Sequence, residues 1–207
     1  MKRLIAIAVM LAAGCSDAPP VDAVKPEPPL GTGDLLPLAV GRTWTFIGSP
    51  LGERQIHSIT KKERVGPFEC FVYEIRAGST VQRLWVRAEK DGVKLYRTQL
   101  GDLAPVDLGD AITQIPLPAT QGRTWEYDDE SLMEAHCQGT VEGLDTLNVP
   151  AGQFRCVRIR LIGSKDNVRL FERVAWYAPG IGLIREECTL NKGDGVERGS
   201  IALKERK

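Results

Sequence analysis

The apolar residues of the second half of the chain fall at every other position. Val157, Ile159 and Leu161 alternate with Arg158 and Arg160, while Met133, Ala135, Cys137 and Val141 alternate with Glu134, His136, Gln138 and Thr140. A period of two puts successive side chains on opposite faces of an extended chain, so each run predicts a strand with one buried face. Phe71, Tyr73 and Ile75 repeat the pattern in the first half. Turn-forming clusters separate such runs: KDG at 90–92, GSKDN at 163–167, APG at 178–180 and GDG at 193–195. Gly, Asn and Asp reach the positive φ angles of tight hairpins. Past residue 14, no stretch of ten or more residues carries a helical stripe. The pattern predicts an all-β, antiparallel meander of about ten to twelve strands.

The chain also states its pattern twice. PLAVGRTWTF (37–46) returns as PLPATQGRTWEY (116–127), with Gly41, Arg42, Thr43 and Trp44 matched by Gly122, Arg123, Thr124 and Trp125. FECFVYEI (68–75) matches FRCVRIRL (154–161), and Trp85 falls opposite Trp176. The three offsets are 81, 86 and 91 residues, growing as loop insertions between strands would make them. Thus all four tryptophans form repeat-equivalent pairs, and Cys70 corresponds to Cys156. Two copies predict a pseudo-symmetric body, with repeats over about 36–110 and 115–207, packed as a sandwich or a partly closed barrel.

The N-terminus follows another logic. Lys2 and Arg3 precede an apolar run from Leu4 to Ala13, then Gly14 and Cys15. This is the layout of a secretion signal and is too short for a spanning helix of about 20 residues. The sequence LAAGC resembles the lipobox of bacterial lipoproteins, which implies that Cys15 becomes the acylated, palmitate-type first residue of the mature chain. A plain signal peptide cut nearby is the alternative. Ser16, where aspartate would resemble an inner-membrane retention signal, points by the same resemblance to the outer membrane. Residues 1–14 are then the signal peptide, and 15–35 are the lipidated cysteine and a tether containing Pro19, Pro20, Pro26, Pro28 and Pro29. Residues 36–207 are the body. The tether is too poor in large apolar residues to bury a core.

Losing 14 of 207 residues leaves 193, and losing Lys2 and Arg3 from 27 basic residues leaves 25 against 27 acidic ones. That balance gives no electrostatic reason to bind nucleic acid. The four remaining cysteines, Cys70, Cys137, Cys156 and Cys188, are disulfide candidates in an exported protein, with three possible connectivities. A Cys137–Cys156 bond would need a bulge, which Gly139 could provide. No C-x-x-C pair suggests a metal. His57 and His136 take nearly equivalent repeat positions and read as surface or strand-edge residues, with no G-x-S-x-G elbow for a hydrolase. The acidic run Glu126, Asp128, Asp129 and Glu130 lacks calcium-loop spacing, and GTG at 31–33 and GIG at 180–182 lack the strand-loop-helix context of a nucleotide site. No cofactor or metal is expected. Trp44, Trp85, Trp125 and Trp176 read as packing or hairpin-clasp residues.

VPAGQFRCVRI (149–159) followed by WYAPGIGLIREE (176–187) resembles a signature of β-rich bacterial envelope proteins that include the TapB family. The resemblance implies a β-rich envelope protein, and the TapB name implies a link to type IV pilus assembly. With no acid, base and nucleophile set legible, the expected function is non-catalytic: an envelope lipoprotein held to the membrane through Cys15, acting as a binding or assembly module for an envelope protein partner. The alternative is a carrier or sensor of an apolar ligand enclosed by the sheet.

Overall fold

The computed structural model describes residues 34–49, 53–129, 135–193 and 195–207. The LAAGC segment with Cys15 and nearly all of the expected tether lie outside them. Twelve strands follow in chain order: β1 (Thr43–Ser49), β2 (Arg54–Val65), β3 (Phe68–Ala77), β4 (Thr80–Glu89), β5 (Gly92–Leu100), β6 (Val106–Pro116), β7 (Thr124–Asp129), β8 (Ala135–Val149), β9 (Gly152–Lys165), β10 (Val168–Ala178), β11 (Gly182–Asn191) and β12 (Val196–Arg206). All pair antiparallel in one sheet of order β6-β5-β4-β3-β2-β1-β12-β11-β10-β9-β8-β7. The all-β meander of two repeats is therefore present, as a nearly closed barrel rather than a sandwich.

Its symmetry is explicit in that order. Strands β1–β6 form one meander and β7–β12 the other, and the two join where β1 pairs with β12 from Trp44 opposite Arg206 to Ser49 opposite Ser200. The equivalent junction, β6 with β7, has no ladder, although the two strands touch. Each repeat thus holds six strands, at the upper end of the ten to twelve expected in all. The break falls at 117–123, so the expected end of the first repeat near 110 cuts into β6. In the turn joining β9 to β10, Asp166 and Asn167 have φ of 50° and 64°. Two successive positive φ values are what a two-residue primed turn requires, and Asp and Asn tolerate them.

Alternation decides which face each side chain takes. The inner face carries Trp44, Phe46, Tyr73, Ile159, Ala175 and Tyr177, all in one buried cluster. The outer face has smaller patches, one built from Val65, Cys70, Val72, Trp85 and Tyr96. The paired tryptophans keep their equivalence in space. Trp44 and Trp125 lie on the inner phase, whereas Trp85 and Trp176 lie outside under arginines, Arg97 at 5.4 Å from the first ring and Arg158 at 5.5 Å from the second. Arginine stems cover apolar surface while the guanidinium meets the ring face, which is how a large aromatic is buried on an outer wall.

One end of the barrel is filled. Leu35 is fully buried, Leu36 reaches the interior, and the Gly180 amide donates to the Asp34 carbonyl at 2.7 Å. Trp44 fixes the same end by donating from Nε1 to the Ile181 carbonyl at 2.7 Å.

Candidate functional site

The inner faces of the two repeats leave a cavity of about 480 Å³. It runs from Leu36 at the filled end to Ala77, Thr80 and Leu100 near the hairpins of the other end. The wall from the first repeat is mainly apolar, with Ile75, Leu84, Val86, Leu95 and Ile112. These positions arise from strand phase: Ile75 lies opposite Gln82, which lies opposite Leu100, so a single inward row crosses β3, β4 and β5. A cavity of a few hundred Å³ with an apolar wall and a few converging polar groups is the usual form of a small-molecule site.

Polar groups enter from both repeats. Arg173 of β10 donates from Nε to Glu186 of β11 at 2.7 Å and from Nη2 to the Tyr177 hydroxyl at 3.3 Å. Burial works against the Arg173 charge, but the carboxylate of Glu186 and neighbouring Tyr177 outweigh it, and the guanidinium pKa rises. Burial pushes the Tyr177 hydroxyl up, and pushes Tyr73 well above the ordinary tyrosine value. His57 is buried, with Nδ1 2.8 Å from the Tyr73 hydroxyl and Nε2 3.4 Å from Gln55 Oε1. The Nε2–H tautomer satisfies both contacts, accepting from Tyr73 and donating to Gln55. Desolvation lowers the His57 pKa from 6.5 to about 4, partly offset by Glu186, so the ring is neutral at physiological pH. The surface reading of His57 is thus corrected: Gln55, His57 and Ile59 share one phase, and that phase faces the interior. His136 is exposed on the polar phase, as its alternation predicts, 2.9 Å from Asp128.

The seam between β6 and β7 opens onto this cavity and is clasped by one side chain. Trp125 Nε1 donates to the Thr113 carbonyl at 2.9 Å, across the two strands that share no ladder. The indole lies flat over Gly139 of β8, where a Cβ would enter the ring. Phe171 lies over Gly163 in the same way. Both glycines let an aromatic ring cover bare backbone on the inner wall, a device that fixes strand register. Gly139→Ala should therefore lower stability by about 1–3 kcal/mol, the usual cost of inserting a methyl group into packed space. Urea denaturation checks it, and an unchanged midpoint would show that Trp125 does not hold the seam.

The four cysteines of the body stand as free thiols, and the expected disulfides are not formed in this structure. Strand position supplies the reason. Cys137 opposes Gly163, Cys156 opposes Asp145, and Cys188 opposes Arg173, so no two are cross-strand partners. Cys137 and Cys188 share the inner face but lie three strands apart, roughly 14 Å at the usual strand spacing. A disulfide needs Cα atoms within about 7 Å. The bulge of β8 lies between Val141 and Gly143 and not at Gly139. Burial raises all four thiol pKa values, Cys156 to about 12, so none is a ready thiolate nucleophile. Among the described residues no group of three or more His, Cys, Asp or Glu is placed to hold a metal.

Periodicity alone did not single out Arg173, Glu186 or Gln114. A signal was present, since Arg173 shares its phase with Phe171, Ala175 and Tyr177, and Glu186 lies two residues from Ile184. A charge on an apolar phase, with its opposite on the next strand, marks an interior pair.

The sequence model of a family described as DUF3108-like matches residues 128–198, the stretch that carries VPAGQFRC and WYAPGIGLIREE. Two solved structures are similar. One is a Bacteroides fragilis protein described as exported and of YmcC-like fold, with 17% identity and a TM-score of 0.45 over 84% of this chain and 99% of that one. The other is a Parabacteroides distasonis protein described as a lipoprotein, with 14% identity and a TM-score of 0.40 over 85% and 99%. No curated protein sequence matches.

Proposed function

We propose that this chain is a non-catalytic lipoprotein of the cell envelope, anchored in the outer membrane through acyl chains on Cys15, whose barrel binds an apolar or amphiphilic molecule as a carrier or sensor. The cavity of about 480 Å³ carries the reading, because a barrel built only to be a scaffold gains by filling its core. Leu100, Leu103, Val106, Val168 and Val196 add support. They are exposed at or beside the hairpins of the end remote from Leu35, where an apolar ligand would exchange with a membrane or partner. Against catalysis stand the raised thiol pKa values and a His57 whose ring nitrogens both have partners. The assembly role rests on the unladdered edges of β6 and β7, which could take up a partner strand.

Native mass spectrometry of the protein from membranes tests the ligand. A co-purifying amphiphile, lost in the cavity-filling variant Leu84→Trp, is expected. A clean apoprotein that also fails to take up the neutral dye phenylnaphthylamine overturns the reading. The anchor is tested separately: Cys15→Ser should move the protein from the membrane to the soluble fraction, and an acylated, membrane-bound variant would refute it.

A further inference from the structure

The cavity's charge inventory says what kind of head group it admits. Among the described residues one cation faces it, the Arg173 guanidinium, which is already held by Glu186 on two nitrogens, Nε at 2.7 Å and Nη2 at 2.6 Å. Asp129, on β7 beside the seam, adds a second carboxylate. No described lysine lines the space, and His57 is neutral above about pH 4. The described lining thus carries no excess positive charge. An anionic head would bring a charge out of water with no free cation to meet it, which is costly.

Neutral hydrogen-bonding capacity is present and unused. Gln82 on β4 and Gln114 on β6 line the cavity, and neither amide forms a side-chain hydrogen bond among the described residues. Gln114 stands in the same corner as Tyr127 and Arg173, since all three also line a small recess beside the main space. Size narrows the choice further. At roughly the 30 Å³ that one water occupies in the liquid, 480 Å³ holds about sixteen non-hydrogen atoms. That suits one acyl chain and is too small to enclose a two-chain lipid.

We infer that the cavity takes a single-chain amphiphile with an uncharged polar head, such as an alcohol, ester or amide, read by Gln114. This rests on the binding role proposed above and adds the ligand's class to it.

The test is competition of dodecanol and dodecanoate against phenylnaphthylamine at pH 8, using the full chain. Dodecanol should displace the dye at least about tenfold more effectively. Gln114→Leu should weaken dodecanol about fivefold, as expected for one neutral hydrogen bond. Gln82→Lys, which supplies a free cation at the end of the cavity away from Gln114, should strengthen dodecanoate about tenfold or more and leave dodecanol, whose hydroxyl sits at Gln114, nearly unchanged. Equal affinities of the wild-type protein for the two chains overturn the head-group inference and leave the binding role standing. Failure of the folded protein to bind the dye or either chain overturns the binding role itself, and the inference with it.

Discussion

Glu186→Gln should destabilise the barrel by about 3 kcal/mol, the lower end of the range for removing one partner of a buried ion pair. The variant keeps size and shape but leaves the Arg173 guanidinium charged, enclosed and bound to neutral groups alone. The lower end applies because 29% of the Arg173 side chain and 24% of Glu186 remain accessible, and both face the cavity, where water can solvate them in part. The paired variant Arg173→Met with Glu186→Leu should recover most of the loss, because replacing both charges removes the desolvation cost along with the attraction. Urea denaturation at pH 7 measures all three proteins. A Glu186→Gln midpoint equal to wild type would show that the cavity is wet enough to hold an unpaired guanidinium.

The second large effect is a loss of stability in mild acid. His57 binds a proton near pH 6.5 when unfolded but only near pH 4 when folded. Above pH 6.5 both states are neutral at this residue, and no pH dependence arises from it. As pH falls from 6.5 towards 4, only the unfolded chain gains the proton, so stability drops by about 3 kcal/mol and then levels off. The carboxylates whose pKa values are lowered by lysine or arginine partners, Glu63 and Asp107 among them, titrate at still lower pH. Their contribution is common to wild type and variant. His57→Gln keeps an acceptor for the Tyr73 hydroxyl and should flatten the pH profile between 6.5 and 4. Equal slopes for wild type and variant would mean that His57 is protonated in the folded barrel.

Both effects come from residues whose positions were legible while their surroundings were not. Alternation placed Val157, Ile159 and Leu161 on one face, and the echo of GRTW placed Trp44 and Trp125 in equivalent strands. The GSKDN turn and the absence of helix were equally readable, because each depends on the φ, ψ and spacing preferences of a few neighbouring residues. His57 shows where such reading stops. Its phase was visible, but a phase names a face only after the sheet has curled, and polar Gln55, His57, Gln82 and Gln114 all sit on the side that became the inside.

The cysteines show the same limit from another direction. Four thiols behind a secretion-signal layout favour bridges by composition, yet bridging depends on distances set by strand order, and here strand order keeps them apart. By itself, the sequence determined the strands, their turns, the two-fold repetition and a lipobox-like cysteine, all local or periodic properties of the chain. Only the tertiary structure decided that the repeats join through β1 and β12, that Trp125 clasps the other seam, and that Arg173 meets Glu186 across a cavity. Those outcomes depend on how register and twist accumulate over twelve strands, and no short window of residues contains that sum.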